Sequence, residues 1–170
     1  MNTKWNNVIF LAHASEDKVF VRGLYKRLIE NGFTPWLAEE NLEPGVRWEE
    51  KIEEAIKKAG IFLACISKNS VNKSGYVQKE FRMALNQLEQ KPSGVIYFIP
   101  ALIENVELPD ITVGTIHLRD YQSTKIYNES GLQRLIAHLK NNIGTIEKFK
   151  KGNSENFDEI EELIINNDLK

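Results

Sequence analysis

The chain has 170 residues, 42% apolar and 27% charged, the balance of one globular domain with a core large enough to stand without cross-links. The 22 Lys and Arg against 24 Asp and Glu leave a net charge of −2, so no chain-wide basic field invites nucleic acid. A single cysteine, Cys65, excludes an internal disulfide and a multi-cysteine zinc site; no apolar run approaches the ~20 residues of a membrane span, and Met1–Asn7 is polar, so the expected location is the cytoplasm.

Val8–Ala12 is a short continuous apolar run and reads as a buried strand. The polar stretch His13–Asp17 follows. A helix is expected from Lys18 to Asn31, with Phe20, Val21, Leu24, Leu28 and Ile29 as its stripe and Gly32 as a left-handed cap. Ser15 and Asp17 read as caps for its start. Thr34–Leu37 reads as a short strand near a sheet edge, because of Pro35. Ala38–Gly45 is expected as a loop, with Pro44-Gly45 as its turn. The second helix spans Arg47–Lys58, with Trp48, Ile52, Ala55 and Ile56 toward the core. Ile61–Ile66 is another buried strand, and Ser67–Gly75 a loop.

A third helix, Tyr76–Gln90, carries Val77, Phe81, Ala84, Leu85 and Leu88 inward, and Pro92-Ser93-Gly94 stops it. Val95–Ile99 is the fourth strand, ended by Pro100. Thr115–Leu118 is a weaker fifth, and a helix covers Glu129–Asn142. The polar, Lys-rich Gly144–Asn153 marks a boundary between a domain at residues 1–143 and an extension at 144–170. In that extension Phe157, Ile160, Leu163 and Ile164 form an amphipathic stripe that Asn156 and Glu159 could cap. It reads as a terminal helix on its own domain, as the start of a second domain, or as a docking segment.

Strands alternating with helices predict an α/β, flavodoxin-like three-layer sandwich: a five-stranded parallel sheet in the order 2-1-3-4-5, plus the C-terminal helical extension. Ligands in such sheets sit beyond the carboxyl ends of the strands, where the order reverses. That places His13–Asp17, Ser67–Gly75 and Ala38–Gly45 around one cleft. Tyr76 and Glu80 are four apart on a helix and share a face. Glu80 lies about 100° around from Phe81, at the margin of the core. A solvated or dipole-favoured glutamate is the plain alternative. His13 reads as a ligand contact or a loop histidine, and Ser67 as a phosphate contact or a loop closure. Trp48 and Cys65 read as core. Lys68 and Lys73 could attract phosphates or simply be solvated. Neither a Walker loop nor a Gly-x-Gly-x-x-Gly motif is present.

The residues carry a family pattern. Val8–Asp17 resembles the first box of Toll/interleukin-1 receptor (TIR) domains, and Trp36–Gly45 with Trp48 resembles their second box and BB loop. Ile52–Ala59, Ile61–Ser67, Gly75–Phe81 with Ala84-Leu85, and Phe98–Pro100 with Leu102 and Pro109 extend the similarity, strongest to bacterial-type members, over about residues 7–142. The resemblance implies one of two functions. Some members cleave the nicotinamide–ribose bond of NAD, to linear or cyclic ADP-ribose; others are noncatalytic scaffolds that signal by self-association. In the enzymes a glutamate on the third helix is essential, with an aromatic, usually Trp, four positions earlier; here these are Glu80 and Tyr76. Tyr replaces Trp, and Ala38 stands where many relatives have Asp. By this resemblance Glu80 is the catalytic residue. His13, Ala14, Ser15, Asp17, Ser67 and Tyr76 contact substrate, and Leu42, Glu43, Pro44 and Gly45 belong to an assembly loop. NAD is then a substrate, with no cofactor and no metal. The expected role is that of a defence effector or signal producer, activated by self-association or by a protein partner.

Overall fold

Residues 7–72 and 75–151 are described in the computed structural model, with side chains up to Ile143. Strand β1 (Val8–Ala12) is buried at every position, as a continuous apolar run dictates for a strand covered on both faces. A 3₁₀ turn, Ser15–Asp17, leads into helix α1 (Lys18–Glu30), which buries Val21, Leu24 and Leu28. Phe20 and Ile29, expected on that stripe, are 37% and 49% exposed, because they flank the narrow arc that meets the sheet. Gly32 ends this region at φ +83°, as expected. Then come β2 (Thr34–Trp36), α2 (Ala38–Asn41), α3 (Trp48–Lys58), β3 (Ile61–Ile66), α4 (Lys68–Asn72) and α5 (Tyr76–Glu89). The helices α2 and α4 form inside stretches expected to be loops.

Strand β4 is Phe98–Leu102, three residues later than expected, and Pro100 lies inside it. Val95 and Ile96 stay outside the strand, each 45% exposed. Tyr97 O and Ile103 N bond to β3, whereas Leu102 O accepts from Ile126 beside the last strand. Pro100 shares Leu102's parity, so its missing N–H faces that outer side, where pairing starts only at Ala101. Thr115–Leu118 does not join the main sheet. β5 (Thr112–Val113) and β6 (Ile116–His117) form a separate antiparallel hairpin, and the fifth parallel strand is β7 (Thr124–Lys125). Helix α6 (Glu129–Lys151) continues through Gly144, past the helix end expected at Asn142. The stripe at 157–164 and its cap lie outside the described residues, as does Lys73.

The main sheet runs β2-β1-β3-β4-β7, all parallel, the expected order. Alternate residues of β1 and β3 feed two cores, as a period of two requires. Ile9, Leu11, Leu63 and Cys65 meet α1 and α6, whereas Phe10, Ala12, Phe62 and Ala64 meet α3 and α5. On the second face four aromatic rings lie side by side across four strands. Trp36 stacks on Phe10 at 4.9 Å, Phe10 on Phe62 at 5.2 Å and Phe62 on Phe98 at 5.2 Å. The register pairs the same residues, so this row locks strand alignment beneath the cleft.

Candidate active site

β1 leads to a helix on one face and β3 to a helix on the other, which opens a crevice between their carboxyl ends. One polar tie crosses it, and a second flanks it on the β2 side. Asp17, buried, accepts from Ser67 Oγ at 2.5 Å and from Asn69 Nδ2 at 3.0 Å. Ser67 is held in turn: Ser70 N donates to its Oγ at 3.2 Å, and its own N donates to Ser70 Oγ at 2.8 Å. The start of α4 is thereby fastened to the loop after β1. Asp17 does not cap α1, since its carboxylate is turned to the neighbouring loop. Ser15 makes no cap either; it is exposed and bonds Glu16. Ala14 is buried in the core beneath the crevice.

The second tie joins β1 to α2. His13 Nε2–H donates to Glu39 Oε1 at 2.9 Å, and the His13 side chain is only 7% exposed. No local pattern in the sequence singles out Glu39, because its segment reads as a loop. Beside this pair lies Glu80, 7% exposed rather than at an open margin. Burial, and then the Glu39 carboxylate, push its carboxyl up to about 8. Among the described residues none donates a hydrogen bond to it. With no cation paired to it among the described residues, this carboxyl keeps its proton to about pH 8, and a positive charge brought against it would favour its ionised form.

Tyr76 opens α5 one turn before Glu80. Its hydroxyl is the one buried side-chain polar atom without a partner among the described residues. Burial, then Glu80, Glu49 and Glu53, push this phenol up to about 12. Trp48 does not enter the core: it is 48% exposed and meets the Tyr76 ring edge-on, centroids 4.8 Å apart. Lys79 Nζ sits over the same ring at 5.5 Å. Cys65 is buried in β3, where burial pushes its thiol up, in keeping with a core role.

The fold thus gathers His13, Glu39 and Glu80 into one neighbourhood, joins Asp17 to Ser67 in another, and sets Tyr76 beside Glu80. Leu42 packs on the core, while Glu43, Pro44 and Gly45 are exposed; Gly45 has φ +86°. An open groove of about 370 Å³ runs instead between α3 and α5, lined by Glu53, Ile56, Met83 and Asn86 among others, none a predicted site residue. Among the described residues no three His, Cys, Asp or Glu could share a metal ion. No helix there is long and apolar enough to cross a membrane.

A family model described as TIR domain matches residues 9–136, three quarters of the chain. The chain is 27% identical over 133 residues to the NAD(+) hydrolase TcpC of Escherichia coli O6:H1 (strain CFT073), covering 76% of this chain and 42% of that protein. It therefore spans about two fifths of the length of that curated relative. Among solved structures, the TIR domain of the Toll-related receptor TRR-2 from Hydra magnipapillata superposes with a TM-score of 0.62 at 16% identity, over 80% of this chain and 98% of that one. That likeness shows the fold, and the family model reaches from β1 into α6: the chain belongs to the TIR domain family.

Proposed function

We propose that this TIR domain is an NAD glycohydrolase, with Glu80 as its catalytic carboxylate. The observation that carries the reading is a buried carboxyl without a donor at the carboxyl edge of the sheet, one helical turn from an aromatic residue. The similarity to a protein named as an NAD(+) hydrolase supports it. The nicotinamide of NAD is already a pyridinium. It takes the electron pair of the C1′–N bond and leaves as neutral nicotinamide, so no general acid is required, unlike glycosidases with paired acids. Positive charge gathers on the ribose, and ionised Glu80 stabilises it. Water adding to C1′ and losing a proton gives linear ADP-ribose; attack by an adenine nitrogen gives a cyclic product. His13, Ala14, Ser15, Asp17, Ser67 and Tyr76 belong to the proposed substrate cleft. Within it Asp17 and Ser67 hold its walls together, while Ser15 sits at the rim.

A dinucleotide reaches a carboxyl buried this deeply only once its cover moves. The cover we assign is α2, with the exposed turn Glu43–Gly45 beyond it. Self-association of TIR domains through Ala38–Gly45 is the proposed trigger, in a cytoplasmic defence or signalling setting. The second reading, a noncatalytic interaction domain, is favoured by the same burial of Glu80. The test is release of nicotinamide from NAD by concentrated protein, followed by chromatography. Glu80→Gln should lose at least ~10²-fold in turnover while remaining folded. Comparable turnover in a folded Glu80→Gln protein rejects the assignment, and no release by the wild type favours the scaffold.

A further inference from the structure

Trp48 is out of place for a core residue. It opens α3 as Tyr76 opens α5, and both helices begin at the carboxyl edge of the sheet. The Tyr76 ring already has two neighbours, Trp48 at 4.8 Å and the Lys79 ammonium at 5.5 Å. It is half-buried, and its phenol end is enclosed. Trp48 has the reverse situation: one side braced by Tyr76, and 48% of its surface open. An exposed indole held by a second ring loses little side-chain freedom when a flat group lies on it, which favours stacking there over stacking on a free side chain.

We infer that Trp48 is a substrate-binding residue: its open indole face receives the cationic pyridinium end of the dinucleotide, and Tyr76 is the brace behind it. This inference rests on the NAD-cleaving reading and names the surface that reading lacks. The chemistry suits the choice of end. The indole face carries the strongest negative quadrupole of any side chain and attracts cations held over it. Glu49 adjoins Trp48 and acts on the Tyr76 phenol, which sets a carboxylate at this corner against the Lys79 ammonium; Glu53, which also acts on the phenol, is paired with Lys57 at 3.0 Å. A neutral heterocycle gains only stacking there; a pyridinium gains both terms. Tyr76 stands four residues from Glu80, a rise of about 6 Å. A pyridinium on the braced indole therefore lies near the carboxyl proposed to meet the ribose.

The test has two arms. In steady-state kinetics Trp48→Leu should raise the KM for NAD about five- to thirtyfold with kcat nearly unchanged, and Trp48→Phe should recover most of the loss. In the second arm the full chain is titrated with 1-methylnicotinamide, the cation alone, and with neutral nicotinamide, while the Trp48 indole N–H is followed by NMR. Its resonance is identified by its disappearance in Trp48→Phe. The cation should shift it saturably, and neutral nicotinamide should shift it far less. NAD turnover with an unchanged KM in folded Trp48→Leu overturns this inference and leaves the enzymatic reading standing. A selective shift with the cation, in a protein that releases no nicotinamide, sinks the enzymatic reading and keeps the binding surface. No shift with either probe, or equal shifts with both, rejects Trp48 as a pyridinium site.

Discussion

Glu80 is a carboxyl that folding removes from water without supplying a donor, and this has a cost that depends on pH. Burial raises its pKa to about 8 in the folded chain, from an ordinary glutamate value of 4.5. Below about pH 4 both the folded and unfolded chains hold the proton, and the cost vanishes. As pH rises from there to about 8, the unfolded chain ionises freely while the folded chain keeps its proton, so stability falls. Glu80→Gln escapes this loss. Its melting temperature should match the wild type near pH 4.5 and exceed it increasingly up to pH 8, a gain of roughly 3–5 kcal/mol at most. Thermal melts of the two proteins across that range check it; a gap that narrows with rising pH would contradict the burial argument. The second perturber makes a separate prediction. If ionised Glu80 does the chemistry, Glu39→Gln should move the acid limb of kcat/KM for NAD to lower pH, by removing a like charge while burial remains. A pH–rate profile of the variant, unmoved or moved upward, would show that Glu39 does not act on Glu80.

At the scale of elements, α6 is docked more closely than its sequence suggests. Asn128 Oδ1 accepts from Gly131 N at 2.7 Å, which caps the first turn. A Cβ on Gly131 would come within 1.5 Å of the Lys125 carbonyl oxygen in β7. Gly131→Ala must therefore push α6 off the edge strand, and should cost roughly 2–3 kcal/mol by denaturant unfolding, well beyond the propensity gain from alanine. β1, β3, α1, α3 and α5 are legible in the sequence, because continuous apolar runs and a 3.6-residue period report burial directly. The helices α2 and α4 are not: four or five residues make about one turn, too short to display a period. β4 is misplaced because Pro100 reads as a stop, and only the sheet's outer neighbour reveals that its missing N–H is harmless there. Spacing alone puts Tyr76 and Glu80 on one helix face, while their role as a site pair comes from the TIR resemblance. The His13–Glu39 and Asp17–Ser67 ties span 26 and 50 residues, and no local pattern announces them. Trp48 follows the apolar stripe of α3, yet the helix starts beyond the sheet edge, where no core remains to receive it.

Across the whole molecule, the proposed cleft is covered from one side by α2 and the turn that follows it. Turnover per molecule should therefore rise with protein concentration if contacts between copies move that cover. Gly45, at φ +86° with open space around it, permits a sharp test. Proline cannot adopt that angle, so Gly45→Pro should flatten the rise while the melting temperature stays close to wild type. Activity measured beside light scattering decides: full activity in a strict monomer at every concentration would remove assembly from the mechanism.

The borders of the sheet constrain what such an assembly could look like. Thr34 N bonds back toward β1, so in β2 it is Pro35 whose backbone faces outward, and it has no N–H to offer. At the opposite border β7 is two residues long. Neither margin is a template on which another chain could lengthen the ladder. Copies of this domain that gather must meet through side chains of helices and connecting turns. Such contacts can form and release with the occupancy of the cleft, whereas a shared cross-strand ladder would not readily let go.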